Sequence, residues 1–439
     1  MTFTTATHAG SDPYVPGHGD ASYDVLHCGL TLDYQLIGNR LEGAATLLCR
    51  ALSAIDAIRL DLHALVAEQV LVDGRPEEFT HHAGKLVVEH VVEAGAEFEV
   101  RLTYAGSPRP VPSKTLGSAG FEELTDGVMV AAQPHGAPSW YPCNDRPDNK
   151  ATYSIAVTAP SDYHVAVAGE LVTTARSGTT TTWSFQQDAP MPTYLATLQI
   201  GRYAVTEQKG APVPVRTIAP AERDAHDFAA SFGRQAEMLG FFVKVYGDYP
   251  FTSYTAVVTD EHLEIPLESQ GLSTFGRNFI SDDWNEIRLV AHEISHQWFG
   301  NAVTLRKWKD IWLHEGFACY SEWLWSQESG VAPTQAWVDH HHDRLANLPQ
   351  DLLLGDPGPE LMFDDRVYKR GALTVHALRV RVGDDTFFEI LRTWVVAHNG
   401  ANITTEMFIA HANQVAGEDL SDLFDAWLFS RELPALPSL

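Results

Sequence analysis

Two histidines four residues apart, with a glutamate directly after the first, stand out in this chain: His292-Glu293-Ile294-Ser295-His296. On a helix that spacing puts both imidazoles on one face a turn apart, so they can reach a single ion. Glu293 lies one step round, beside the ion rather than on it, where a general base is needed. The local sequence favours a helix. Asp283 with Glu286 makes a capping-box pattern, Ile287, Val290, Ala291 and Ile294 supply an apolar side, and Gly300-Asn301 offers a left-handed stop. Taken alone, the five-residue pattern also suits two histidines merely hydrogen-bonded on a helix.

A third residue narrows the choice. Glu315 follows His296 by 19 residues, within Trp312-Leu313-His314-Glu315-Gly316-Phe317-Ala318. The loop from Asn301 to Lys309 lets the chain turn back, so a second helix can present Glu315 to the same ion. Two histidines and one glutamate leave the fourth tetrahedral position to water, the pattern of a catalytic rather than a structural zinc site. Zinc brings the pKa of such a water from ~15.7 to ~7. The expected cofactor is one Zn2+ ion on His292, His296 and Glu315, with Glu293 as catalytic base.

The scaffold that must position these groups is large. A chain of 439 residues is too long for one ordinary core, so two domains are expected, and 45% hydrophobic with 20% charged residues is a soluble globular composition. The net charge of −27 opposes nucleic-acid and anionic-membrane partners and favours cationic ligands such as a free amino terminus. Residues 1–20 are polar and punctuated by Gly and Pro, with no basic and apolar stretches of a secretory signal, and no run of about 20 apolar residues occurs. Cys28, Cys49, Cys143 and Cys319 are scattered, which fits reduced thiols and a cytoplasmic protein. Nothing in the pattern sets an oligomeric state.

Residues 1–20 read as a flexible leader. From 21 to 203 the pattern is β: short alternating runs such as Leu30-Thr31-Leu32-Asp33-Tyr34, Phe98 to Tyr104 and Thr182 to Phe185 recur between turn residues. This predicts an antiparallel sandwich or saddle. Residues 204–439 read as one mainly helical domain. Helical periodicity covers Ala221 to Tyr246, a strand follows at Tyr254, and helices predominate after Asp282, broken by a Pro/Gly-rich loop from Leu348 to Pro359.

The extended stretches His292 to Asn301 and Trp312 to Glu322 resemble the zinc signature of the aminopeptidase N family (peptidase family M1), gluzincin aminopeptidases that include the leukotriene hydrolase. Gln133 with Trp140-Tyr141-Pro142-Cys143-Asn144-Asp145-Arg146-Pro147-Asp148-Asn149-Lys150-Ala151 is similar to the family's amino-terminal-domain segment, and Val367-Tyr368-Lys369-Arg370-Gly371-Ala372 to its tyrosine-bearing helix. The resemblance runs from about residue 20 to the carboxyl end. It implies an α+β fold of two domains: an antiparallel β saddle packed on a mostly α-helical thermolysin-like catalytic domain, with the zinc cleft between them. It also implies a short form that closes without the helical carboxyl-terminal domain of many relatives.

What the resemblance implies for further residues follows family positions. Ile265-Pro266-Leu267-Glu268-Ser269-Gln270-Gly271 aligns with the strand that anchors the substrate's ammonium, and only Glu268 is kept. Gln133 would line the pocket for the first side chain, and Tyr368 would stabilise the oxyanion. The substrates implied are peptides with a free amino terminus. Two positions depart from the pattern: His135 stands where some relatives carry a second acid, and His314 where Asn usually precedes the zinc glutamate. With His135 there, amine binding would be weaker, or tuned by protonation of His135 near pH ~6.5.

Other prominent residues read as structural. His340-His341-His342 point in different directions on a helix and cannot converge. Trp298, Trp308, Trp312, Trp323 and Trp325 read as packing around the site, and Glu322 as an acceptor for a ligand imidazole. The competing functions are an endopeptidase or an epoxide hydrolase on the same site, and a non-catalytic binding scaffold.

Overall fold

The structure, a computed structural model, describes residues 12–437. The chain divides into two compact units. The first runs to Ala204 and takes in Ala219–Ala221; the second comprises Val205–Ile218 and Glu222–Leu439.

Apolar/polar alternation builds the long strands of the first unit. Along Tyr23–Gln35 the side chains of Leu30, Leu32 and Tyr34 are buried while Thr31 and Asp33 are exposed. Eight strands make one sheet in the order Glu170–Ser177, Thr180–Pro192, Lys150–Pro160, Tyr23–Gln35, Arg40–Ala51, Glu97–Gly106, Leu65–Val72, Arg75–Pro76. The expected antiparallel pairing fails at one place: Tyr23–Gln35 runs parallel to Lys150–Pro160, with Leu30 opposite Ile155. Alternation reads the same in either direction, so it does not encode the sense of pairing. Smaller sheets of five and three strands complete the unit.

Residues 12–20 correct the expectation of a loose leader. Tyr14 and Val15 are buried. The Gly19 N–H donates to Asp61 at 2.8 Å, the Asp20 N–H donates to Asn144 Oδ1 at 2.7 Å, and the His18 ring meets Asp145 at 2.7 Å. Every partner is distant in sequence, so local polarity could not reveal the attachment. Residues 1–11 of that expectation lie outside the described residues.

The second unit carries helices α1 (Ala225–Ala230), α2 (Gln235–Tyr246), α3 (Trp284–Ser295), α4 (Trp312–Glu328), α5 (Thr334–Ala346), α6 (Asp365–Val382), α7 (Asp384–His398), α8 (Thr405–Ala416) and α9 (Ser421–Leu428). The periodic stretch up to Tyr246 is two helices, not one. Ser231 interrupts it at φ −93°, ψ −89°, with its hydroxyl donating to the Asp227 carbonyl at 2.7 Å. A four-stranded sheet also belongs here, ordered Ala204–Gln208, Val215–Ala219, Tyr254–Val258, Leu272–Phe275.

Where α4 and α6 cross, two glycines let the main chains touch. A β-carbon built on Gly371 would fall 2.7 Å from the Gly316 Cα, and one on Gly316 would fall 2.8 Å from the Gly371 Cα. Beside this crossing Arg370 is buried, and its guanidinium donates to the main-chain carbonyls of Trp427 (3.0 Å), Ser430 (2.6 Å), Arg431 (2.9 Å) and Glu432 (3.1 Å). A cation is favoured there because these carbonyls lie at and just beyond the C-terminal end of α9, the negative pole of the helix. The five tryptophans from Trp298 to Trp325 are buried, and all four cysteines are free and buried. Among the described residues no helix is long and apolar enough to cross a membrane.

Candidate active site

Helix α3 is capped at its start by Asp283, whose carboxylate accepts from the Asn285 N–H at 2.8 Å. The reciprocal half of the expected capping box is absent, because the Asp283 N–H donates to Ser281 Oγ at 3.0 Å. The helix ends at Ser295 with His296 as its C-cap, short of the Gly300-Asn301 stop read from the sequence. Gly300 has a different use. Its φ is +139°, and a β-carbon there would lie 3.1 Å from His296 Nδ1, so glycine leaves room for the ring.

His292, Glu293, His296 and Glu315 are all buried. His292 Nε2 lies 3.3 Å and His296 Nε2 3.5 Å from the same oxygen, Glu315 Oε2. The other ring nitrogens are engaged: His292 Nδ1 donates to Glu322 Oε1 at 2.7 Å, and His296 Nδ1 to the Phe299 carbonyl at 3.0 Å. A carbonyl or a carboxylate can only accept, so each Nδ1 carries a proton, and Nε2, which faces Glu315, is the nitrogen a metal ion would take. A tetrahedral zinc ion with bonds of ~2.0–2.1 Å holds its ligand atoms about 3.3 Å apart. The donor set therefore fits zinc in both chemistry and spacing.

Two more carboxylates adjoin this group. Ligand atoms of Glu268, Glu293 and His296 all lie within 4.8 Å of one another, as do those of His292, His296 and Glu315. Among the described residues, Glu293 Oε2 is buried without a hydrogen-bond partner, an acceptor left for a group other than the protein. Burial, reinforced by Glu268 and Glu315, pushes the Glu293 carboxyl up to about 8 against the pull of His292 and His296. Glu268 is raised too, chiefly by burial. Burial works against the charge of Glu315 as well, but His296 and His292 hold it well below the usual carboxylate range.

Glu268 is held by residues to which the sequence reading assigned no part in positioning it. Asn301 Nδ2 donates to the Glu268 carbonyl at 2.9 Å, and Gln297 Oε1 accepts from the Gly271 N–H at 2.8 Å. Both lie in the turn that follows α3, so the segment carrying Glu268 is laced to the histidine helix. Their place inside the extended signature was the available signal. On α6 the Tyr368 ring lies 6.1 Å from that of His292, centroid to centroid, with the planes 23° apart. Burial first, then Glu315, Glu268 and Glu293, push its phenol well above its ordinary value, so it keeps its proton and can donate.

Residues 230–427 match the peptidase family M1 domain, and residues 21–195 match the peptidase M1 N-terminal domain. The crystal structure of the M1 zinc metallopeptidase from Deinococcus radiodurans is similar at TM-score 0.88 and 30% identity, over 97% of this chain and 99% of that one. The chain belongs to peptidase family M1. A mutant of the Deinococcus protein bound to a Tyr-Ser-Ala substrate matches the M1 chain equally, at TM-score 0.88 and 30% identity over 97% of it and 99% of the mutant. Aminopeptidase N of Lactococcus lactis is 28% identical over 337 residues, 69% of the M1 chain and 38% of that protein. The M1 chain spans about a third to a half of the length of the curated relatives it matches.

The two departures of the M1 chain from the family pattern have structural partners. His314 Nε2 accepts from the Leu305 N–H at 2.9 Å, bracing the loop that brings α4 back towards α3. His135 is buried in the first unit, with Nε2 donating to the Val111 carbonyl at 3.0 Å. Burial, then His18, lower its pKa, which moves any protonation below the pH ~6.5 anticipated from an ordinary imidazole. Gln133 is half-buried in the same unit, two residues beyond the strand Gly127–Ala131.

Proposed function

We propose that this chain is a zinc-dependent aminopeptidase, hydrolysing the first peptide bond of peptides with a free amino terminus around one Zn2+ ion. The carrying observation is that His292, His296 and Glu315 meet at zinc-fitting separations while Glu293 Oε2 stays buried and unpartnered beside them. Bound zinc supplies Lewis acidity, polarising a carbonyl and acidifying water. Glu293, whose Oε2 is buried beside the ligand set without a partner, takes a proton from the attacking water and passes it to the leaving amine. The Tyr368 hydroxyl donates to the scissile carbonyl oxygen as negative charge grows there. Glu268 accepts from the substrate's ammonium, because a buried cation demands a carboxylate partner.

Support for a peptide substrate comes from the tripeptide bound to the Deinococcus mutant and from the aminopeptidases among the relatives. The net charge of −27 favours cationic amino termini and disfavours nucleic acid and anionic membranes as partners. Four free thiols fit the reducing cytoplasm. The test compares an aminoacyl fluorogenic substrate with its amino-acetylated twin, with and without chelator. Cleavage of the free-amine compound alone, abolished by chelator, is expected. Equal cleavage of both would favour an endopeptidase, and hydrolysis indifferent to chelator would remove zinc from the reaction.

A further inference from the structure

Behind the ligand His292 lies a buried charge cluster that the reaction does not consume. Glu322 on α4 uses Oε1 to accept from His292 Nδ1 at 2.7 Å. Its other oxygen, Oε2, accepts from Arg288 of α3 at 2.8 Å and lies 4.0 Å from the Lys369 ammonium of α6. Lys369 also donates to Cys319 Sγ at 3.2 Å, and its side chain is only 8% exposed. A buried ammonium is costly unless paired, and Glu322 is the carboxylate within reach.

We propose that Lys369 is a positioning residue for the metal ligand His292, acting through Glu322; the inference rests on the zinc reading above. Three helices meet at this one carboxylate. Arg288 donates to its Oε2 and Lys369 places a positive charge 4.0 Å from the same oxygen, which anchors that side of the carboxylate and leaves Oε1 to the imidazole N–H. The ring is then held with Nε2 turned towards Glu315. Lys369 directly follows Tyr368, so the same contact also fixes α6 where it presents the phenol. Supports of this kind change metal affinity about 10–100-fold when removed.

The test uses the full chain loaded with zinc, comparing wild type, Lys369→Met and Lys369→Arg. Zinc loss to excess chelator and the visible spectrum of the cobalt(II)-substituted protein are read, with a melting curve as the folding control. Lys369→Met is expected to lose zinc about tenfold faster or more and to shift the cobalt bands, while Lys369→Arg recovers most of the retention. Should Lys369→Met not fold, Lys369→Gln keeps a donor for Cys319 without the charge and carries the same comparison. A folded variant with wild-type retention and an unshifted spectrum would overturn the inference alone. Failure of both uncharged variants to fold would also overturn it, leaving plain support of the core. A wild-type protein that takes up no zinc would sink both this inference and the reading beneath it.

Discussion

Gly316 and Gly371 touch main chain to main chain, each lacking the β-carbon that would fall within 2.8 Å of the other helix. Glu315 is the neighbour of one glycine, and Tyr368 lies a turn before the other. The crossing therefore sets how closely a proposed metal ligand and a proposed oxyanion donor approach the same site. Replacing Gly371 by Ala should push α6 off α4 and destabilise the fold by about 1–3 kcal/mol, the usual range for overpacking. Zinc content should fall with it. Thermal unfolding together with metal analysis checks both, and an alanine variant with wild-type melting and zinc would refute the tight crossing.

Glu293→Gln preserves shape and removes the base. Zinc should remain bound, since its proposed ligands are His292, His296 and Glu315, while kcat drops by about 10²–10⁴-fold. Metal analysis beside steady-state kinetics separates the roles. Parallel loss of zinc and turnover would mean that Glu293 is not distinct from the ligand set.

Glu268→Ala should act on binding. KM for free-amine substrates is expected to rise about tenfold or more, because the ammonium loses its charged partner. Preference over amino-acetylated analogues should shrink with it. An unchanged ratio between the two substrate types would take the amine-anchor role away from Glu268.

Acid stability depends on histidines that fold in the neutral form. Burial, then Arg379, lower His376 to about 4, and its Nδ1 lies 3.2 Å from the Tyr320 hydroxyl. The unfolded chain takes up this proton near pH ~6.5 and the folded chain only near 4. Its contribution is thus complete above pH ~6.5 and is lost as pH falls through 6.5 towards 4, in total on the order of 3 kcal/mol. Denaturant unfolding between pH 7 and 4 should show a shallower decline for His376→Gln than for wild type. Equal slopes would refute this assignment.

Much of the site was legible because its chemistry is local in sequence. The pair His292 and His296 sits within one turn, and Glu315 is a short loop away, so spacing alone places them near one another. Glu322 was readable for a related reason, since it lies two turns beyond Glu315 on the same helix. What escaped depends on long-range meetings. The contact of Lys369 with Cys319 and Glu322, the fastening of residues 12–20 by Asp61, Asn144 and Asp145, and the parallel partner of Tyr23–Gln35 join segments that no periodicity connects. The early end of α3 escaped too, because His296 continues the helical pattern although it caps the helix.

Arg370 grips carbonyl oxygens, and every residue type has one. The segment from Trp427 to Glu432 is consequently recognised by its path and not by its letters. Ser430, Arg431 and Glu432 could be exchanged freely provided the turn persists. Removing a single residue would slide the acceptors out of register and leave a buried guanidinium facing empty positions. Drift in composition is tolerated there, and drift in length is not.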